Sequence, residues 1–321
     1  MTLRPTLKLQ IVVCLLLGTA RSLASQQSGI PVSVAPEPGE SHLRNIFQLT
    51  NGGENAEAYF SHDGKRLIFQ STRDGRTCDQ QYVMNIDGSH VQRVSNGRGK
   101  TTCGYFMNGD RRIVFASSDA LEKDCPPRPD ASKGYVWRLD PFDIYTARSD
   151  GSRRRRLTRF GVYTAEGVMS PDGRKIVFTS LKGGDLDIYV MNIDGSGLKQ
   201  LTHQLGYDGG PWWSPDGKQI VYRASHPTAP TNVKAYTDLL AQRLVRPNKM
   251  DLWLMDADGS NQRQITHPPR RGELWTFVDC RRQEDHLLVE SPHQPQAWQF
   301  RSVPDQSRRH GTRAGDDGRH V

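Results

Sequence analysis

No apolar run after residue 24 is long enough to cross a bilayer, so a helical membrane span is excluded from that part of the chain. Cysteine is scarce, with five in 321 residues and no Cys-x-x-Cys pair or Cys/His cluster; no metal and no cofactor is expected. A Gly-x-Ser-x-Gly elbow, a His-Glu-x-x-His helix and a Gly-rich phosphate loop are also missing, so no catalytic residue is assigned. Charge of one sign does not dominate. The formal balance is +8, and loss of Arg4, Lys8 and Arg21 with an N-terminal leader takes it to a mild +5. The run Arg153–Arg156 falls on an outer strand, where charge discourages edge pairing, and no nucleic-acid partner is expected.

What the chain does have is glycine, 30 in all, and much of it is periodic. A turn of the Ser-Pro-Asp-Gly kind followed by a short apolar strand occurs four times. It runs from Ser61 to Gly64 before Leu67-Ile68-Phe69, and from Asn108 to Asp110 before Ile113-Val114-Phe115. It returns from Ser170 to Gly173 before Ile176-Val177-Phe178, and from Ser214 to Gly217 before Ile220-Val221-Tyr222. A unit this small cannot bury a core alone and specifies a stacked or circular architecture.

Each unit adds a second Asp-Gly hairpin signal, at Asp87-Gly88, Asp150-Gly151, Asp194-Gly195 and Asp258-Gly259. Every unit therefore reads as four antiparallel strands, A to D, the size of a propeller blade. The fold class is all-β, a β-propeller of four-stranded antiparallel blades with four recognisable, and the intact ancestor is expected to have at least five blades, with six or more the favoured number. Residues 117–142 and 228–249 are insertions between strands B and C of the second and fourth units. Both fall on one face, and the second should contain a short helix near Tyr236–Gln242.

The Ser-Pro-Asp-Gly-Lys strand, the Met-Asn-x-Asp-Gly-Ser hairpin and the Leu-Thr ending (Leu157-Thr158, Leu201-Thr202, Ile265-Thr266) resemble the TolB-like propeller repeat of bacterial envelope proteins. The resemblance covers residues 45–267. It implies a propeller in the envelope. It leaves the activity open, because such repeats serve both as binding proteins and as the non-catalytic domain of peptidases.

Arg4 and Lys8, the apolar stretch Leu9–Gly18 and the small residues before Ser25 read as a secretory signal over 1–24, which places the mature chain in the periplasm. Residues 25–44 read as a polar linker. Export makes a disulfide among Cys78, Cys103 and Cys125 expected, since their three positions share one face of the blade scheme.

Residues 268–321 break the repeat and read as an aberrant tail without order. Shifting the reading frame by one base allows Cys280–Glu290 to encode an Asp-Gly turn and an Ile-Ile-Phe strand, and Trp298–Asp316 to encode a strand C, a turn and a strand D. A frameshift near Pro268–Arg271 is therefore expected. A DNA read across codons 260–330 that shows an indel near codon 270 would mean a longer, closed propeller, and the present frame confirmed in the source genome would mean a truncated allele with a poorly folding product.

The candidate binding residues are Glu57 and Glu166, each four residues before the Ser of its turn, together with Asp208; all three are expected in D-to-A connections at the channel mouth. His62, His203, His226 and His267 read as surface residues. Two functional classes follow. One is a non-enzymatic periplasmic scaffold that binds an envelope protein or a peptidoglycan-associated partner through its loop-rich face. The other is the propeller of a longer exported hydrolase of the prolyl oligopeptidase type.

Overall fold

The computed structural model describes residues 31–36, 44–130, 132, 134–247 and 250–266, and the backbone of three short strands beyond them. The 1–24 leader lies outside the described residues. Part of the 25–44 linker is structured, since β1 (Val32–Val34) pairs antiparallel with β2 (Ile46–Gln48).

Four four-stranded antiparallel sheets follow and form a four-blade propeller. Blade 1 is β3 (Asn55–Phe60), β4 (Arg66–Ser71), β5 (Gln80–Asn85) and β6 (Gln92–Arg93). Blade 2 is β7 (Thr101–Phe106), β8 (Arg112–Ser117), β10 (Asp143–Arg148) and β11 (Arg155–Arg156), with β9 (Trp137–Arg138) in its insertion. Blade 3 is β12 (Thr164–Met169), β13 (Lys175–Ser180), β14 (Asp187–Asn192) and β15 (Lys199–Gln200). Blade 4 is β16 (Tyr207–Trp213), β17 (Gln219–Ser225), β19 (Asp251–Asp256) and β20 (Arg263–Gln264), with helix α1 (Pro230–Ala241) and β18 (Leu244–Val245) in its insertion.

The core lies between blades. Ile68, Val83 and Val94 of blade 1 meet Phe106, Ile113 and Phe115 of blade 2. Val114 and Ile144 meet Ile176 and Phe178 of blade 3, and Val177 and Ile188 meet Ile220 and Tyr222 of blade 4. A strand B sandwiched on both faces has no wet side, which is why it reads Ile-Val-Phe rather than alternating apolar with polar. At the ends of the series the covering is thinner. Phe60 of β3 is 58% exposed, and β19 is only half-buried where β10 and β14 are buried.

The repeat signatures have local causes. In the A–B turns Ser61, Ser170 and Ser214 donate to Asp63, Asp172 and Asp216 at 2.6–2.7 Å, and those carboxylates accept the backbone N–H two residues on. The Leu-Thr ending closes strand C onto D: the Thr158, Thr202 and Thr266 hydroxyls accept from the backbone N–H of Ile144, Ile188 and Leu252 at 2.8–2.9 Å.

Glycine in the C–D hairpin is required twice. Gly151 has φ +84°, and a Cβ there would stand 2.7 Å from Val94 O of the preceding blade. Gly151→Ala is expected to cost about 1–3 kcal/mol, read as a fall in Tm, because backbone on both sides must shift. An unchanged Tm would contradict this inter-blade contact.

Both insertions leave their blades between strands B and C, and they meet: β9 pairs with β18. Asp140 anchors the first, with Arg138 Nε at 2.5 Å and Lys100 Nζ at 3.5 Å. Helix α1 starts earlier than the sequence suggests, because Pro230 is well suited to a first helical turn. The arginine run is only partly a solvated edge. Arg154 pairs with Asp119 and lies 3.9 Å from the Tyr145 ring centre, and Arg156 reaches Asp143 at 2.6 Å.

Within 268–321 three strands are described where the sequence shows no hairpin signature. They are β21 (Phe277–Val278), β22 (His286–Glu290) and β23 (Trp298–Ser302), which pair antiparallel in that order. Leu287-Leu288-Val289 supplies the one apolar run of the middle strand. The remainder of the tail lies outside the described residues, as does the frameshift point at Pro268–Arg271.

Candidate functional site

Each inner strand carries a β-bulge at one repeated place. The A–B register slips between Ala56 and Tyr59, Thr102 and Tyr105, Ala165 and Val168, and Gly209 and Trp212. Glu57, Cys103, Glu166 and Gly210 sit inside these slips with φ of +49°, +51°, +60° and +60°. A left-handed conformation costs a residue with a Cβ on the order of 1–2 kcal/mol and tends to cluster at functional sites. Glu57 and Glu166 thus belong to strand A itself, not to the D-to-A connections expected from sequence, because the bulge lets strand pairing begin before them.

These positions face one another. Glu57 is hydrogen-bonded to Cys103, and its Oε2 is sealed from solvent without a hydrogen-bond partner among the described residues. Burial pushes the Glu57 carboxyl up, the Cys103 bond opposes this, and the charge of Glu166 adds to it. Cys103 is the free cysteine among the described residues, and burial raises its thiol well above the ordinary value. Tyr59, Tyr105 and Trp212 pack beneath, with ring centres 4.2–6.0 Å apart.

Glu166 is matched by Arg223, which sequence reading passed over. Arg223 Nη2 lies 3.3 Å from Glu166 Oε1 and donates to the Tyr207 hydroxyl at 3.1 Å. Glu166 Oε2 accepts from Gly210 N at 2.7 Å and from the Thr179 hydroxyl at 2.5 Å. Gly210 makes room for this arrangement: a Cβ there would lie 2.7 Å from the guanidinium. Burial works against the Arg223 charge, but Tyr207 and Glu166 hold its pKa above the ordinary value. The guanidinium also lies 5.5 Å from the ring centre of Trp137, so the inner charges connect to the blade 2 insertion.

Asp208 does not share the bulge position; Gly210 does. Asp208 is 1% exposed and bonds His226 Nε2 at 2.8 Å, and burial raises its carboxyl against the pull of that bond. The His226 side chain is therefore buried, contrary to the sequence reading, because it is held between Asp208 and the Trp253 ring of β19. His62 is half-exposed against Asp110, His203 is exposed, and His267 lies outside the described residues.

Nearby, Asp185 accepts from Gly206 N at 2.8 Å and from the Tyr236 hydroxyl, which pins α1 to blade 3. Asp187 is pushed up to about 7 by burial, with the charges of Asp185 and Asp208 adding. Between the unfolded carboxyl value of about 4 and 7, the folded chain keeps a proton that the unfolded chain has released, so stability falls as pH rises through this window. Asp187→Asn is expected to reduce that fall, measured by denaturant unfolding at about pH 5 and about pH 8. A pH slope equal to that of the wild type would refute the assignment.

Of the three cysteines considered for a disulfide, Cys78 and Cys125 are bonded, which joins the B–C loops of blades 1 and 2. Among the described residues no group of three or more His, Cys, Asp or Glu side chains is placed to hold a metal ion, and no helix is long and apolar enough to cross a membrane.

Residues 139–231 match the model of the TolB beta propeller domain. That match spans blade 3 together with the outer part of blade 2 and the inner part of blade 4. The chain superposes on TolB from Acinetobacter baumannii with a TM-score of 0.51 at 15% identity, over 74% of this chain and 52% of that one. It is also similar to a putative TolB from Agrobacterium tumefaciens (TM-score 0.37, 20% identity, 66% of this chain and 80% of that one). A third similar structure is a puromycin hydrolase (TM-score 0.48, 14% identity, 77% and 35%). At 15% identity the likeness to the Acinetobacter TolB is one of fold. The chain spans about half the length of the Acinetobacter TolB. No curated protein matches the sequence.

Proposed function

We propose that this chain is an exported, non-enzymatic propeller that binds an envelope protein or a peptidoglycan-associated partner through the face bearing its two insertions. The observation that carries this reading is the pairing of β9 with β18. Two loops from different blades are built into one platform, and ordering a binding surface in advance lowers the entropy lost on association. The Cys78–Cys125 bond and the Arg138–Asp140 ion pair hold the same platform, which suits an oxidising periplasm. Beneath it Arg223 joins Trp137 to Glu166, so the candidate residues, half-buried Glu57 and Glu166 and buried Asp208, support the platform from inside and the exposed insertion residues meet the partner.

The platform offers Leu121 and Tyr135, 49% and 63% exposed, while Ile86 is 48% exposed in a hairpin at the opposite end of its blade. Envelope extracts passed over the immobilised full chain should yield a specific partner. Leu121→Ala with Tyr135→Ala is expected to abolish capture, and Ile86→Ala to leave it intact. Equal loss from both faces, or no specific capture by the wild type, would overturn the reading.

A further inference from the structure

Beneath α1, apart from the inner-strand bulges, lies a cavity of about 530 Å³. Small-molecule sites commonly have this size. His226 lines it, buried to 7% side-chain exposure, with Nε2 held by Asp208 at 2.8 Å. Asp208 is itself almost wholly buried, and its Oδ2 has no hydrogen-bond partner among the described residues. That contact fixes the imidazole and leaves Nδ1 as the ring's remaining polar atom, which donates to a carboxylate in the form of the ring that carries a proton there. Trp253 stands edge-to-face with His226 at 5.0 Å and also lines the cavity. Arg246 enters from the insertion, with Nη1 donating to Tyr135 O at 3.3 Å.

We propose that this cavity binds a small monocarboxylate carried on a ring, with the carboxylate between Arg246 and His226 and the ring against Trp253. An arginine fork matches a carboxylate in shape and charge, and an aromatic wall suits the flat or apolar face of a ring. The acidic Asp251 in the cavity lining, with Asp208 behind His226, disfavours a ligand of higher negative charge, such as a phosphate dianion. The ring is supplied either by an aromatic acid or by a sugar acid, and two probes separate these sources.

The full chain is titrated calorimetrically with benzoate and with D-glucuronate, and with their neutral counterparts benzamide and methyl glucoside. At least one carboxylate is expected to bind in the millimolar range or tighter while its neutral counterpart does not. Arg246→Gln should weaken that binding by roughly tenfold or more, as loss of a charge-assisted bond requires. His226→Gln should do the same; because it strips Asp208 of its partner, Arg246→Gln decides alone if that variant does not fold. Failure of both carboxylates, equal binding of the neutral compounds, or full affinity in a folded Arg246→Gln would each overturn the proposal. Selectivity of the wild type for acid over neutral probe tests it without any variant.

Discussion

Cys125→Ser is expected to lower the free energy of unfolding by about 4 kcal/mol and Tm by roughly 8–16 °C. The bond to Cys78 closes a chain segment with a sequence separation of 47 residues. Releasing it returns loop-closure entropy to the unfolded chain, and that entropy grows only with the logarithm of the segment length. The folded state loses little direct contact in the process, so the effect belongs chiefly to the unfolded ensemble. The same fall should follow from reducing agent added to the wild type, and Cys103→Ser, which removes the free buried thiol, should not change the response to reductant. A Tm insensitive to reductant would show that the two loops are not covalently joined in solution.

Arg223→Met is the second large effect, expected to destabilise by about 3–5 kcal/mol. Methionine fills much of the same space beside Gly210, so the main loss is the charge. Glu166 then remains near Glu57 and the tyrosines without its cation. Breaking one side of a buried pair strands the other, whereas removing both is often tolerated. Glu166→Gln combined with Arg223→Met should therefore recover at least half of the loss in denaturant unfolding. Additive losses in that double variant would mean that Arg223 acts by packing on Trp137 and Tyr207 and not by pairing with Glu166.

The propeller was legible in the sequence because its determinants are local. A Ser-x-Asp-Gly turn and an Asp-Gly-Ser hairpin make hydrogen bonds within a few residues, and a Leu-Thr ending bonds back to strand C of its own blade 14 residues earlier, so the signatures recur from blade to blade. The site was only half legible. Glu57 and Glu166 stand out at a shared spacing of four residues before the turn. Cys103 and Gly210 occupy the same place but differ so much in chemistry that composition does not group them; their distance from Met107 and Ser214 was the available signal. Arg223 follows Ile220-Val221-Tyr222 and reads as the end of an ordinary strand. It reaches Glu166 only because a glycine in the neighbouring strand makes room for it. His226 reads as a loop residue because its burial comes from Asp208 and Trp253 on other strands of the blade, contacts with no local trace. The pairing of β9 with β18 spans more than a hundred residues and has no signature at all.

The central claim, a preordered insertion face that receives a partner in the envelope, is tested most directly by photo-crosslinking in the native envelope. A photoreactive phenylalanine analogue in place of Tyr135 is expected to give one discrete adduct, and the same analogue in place of Ile86 none. Matched adducts from both positions, or none from Tyr135 while the protein is folded and exported, would contradict it.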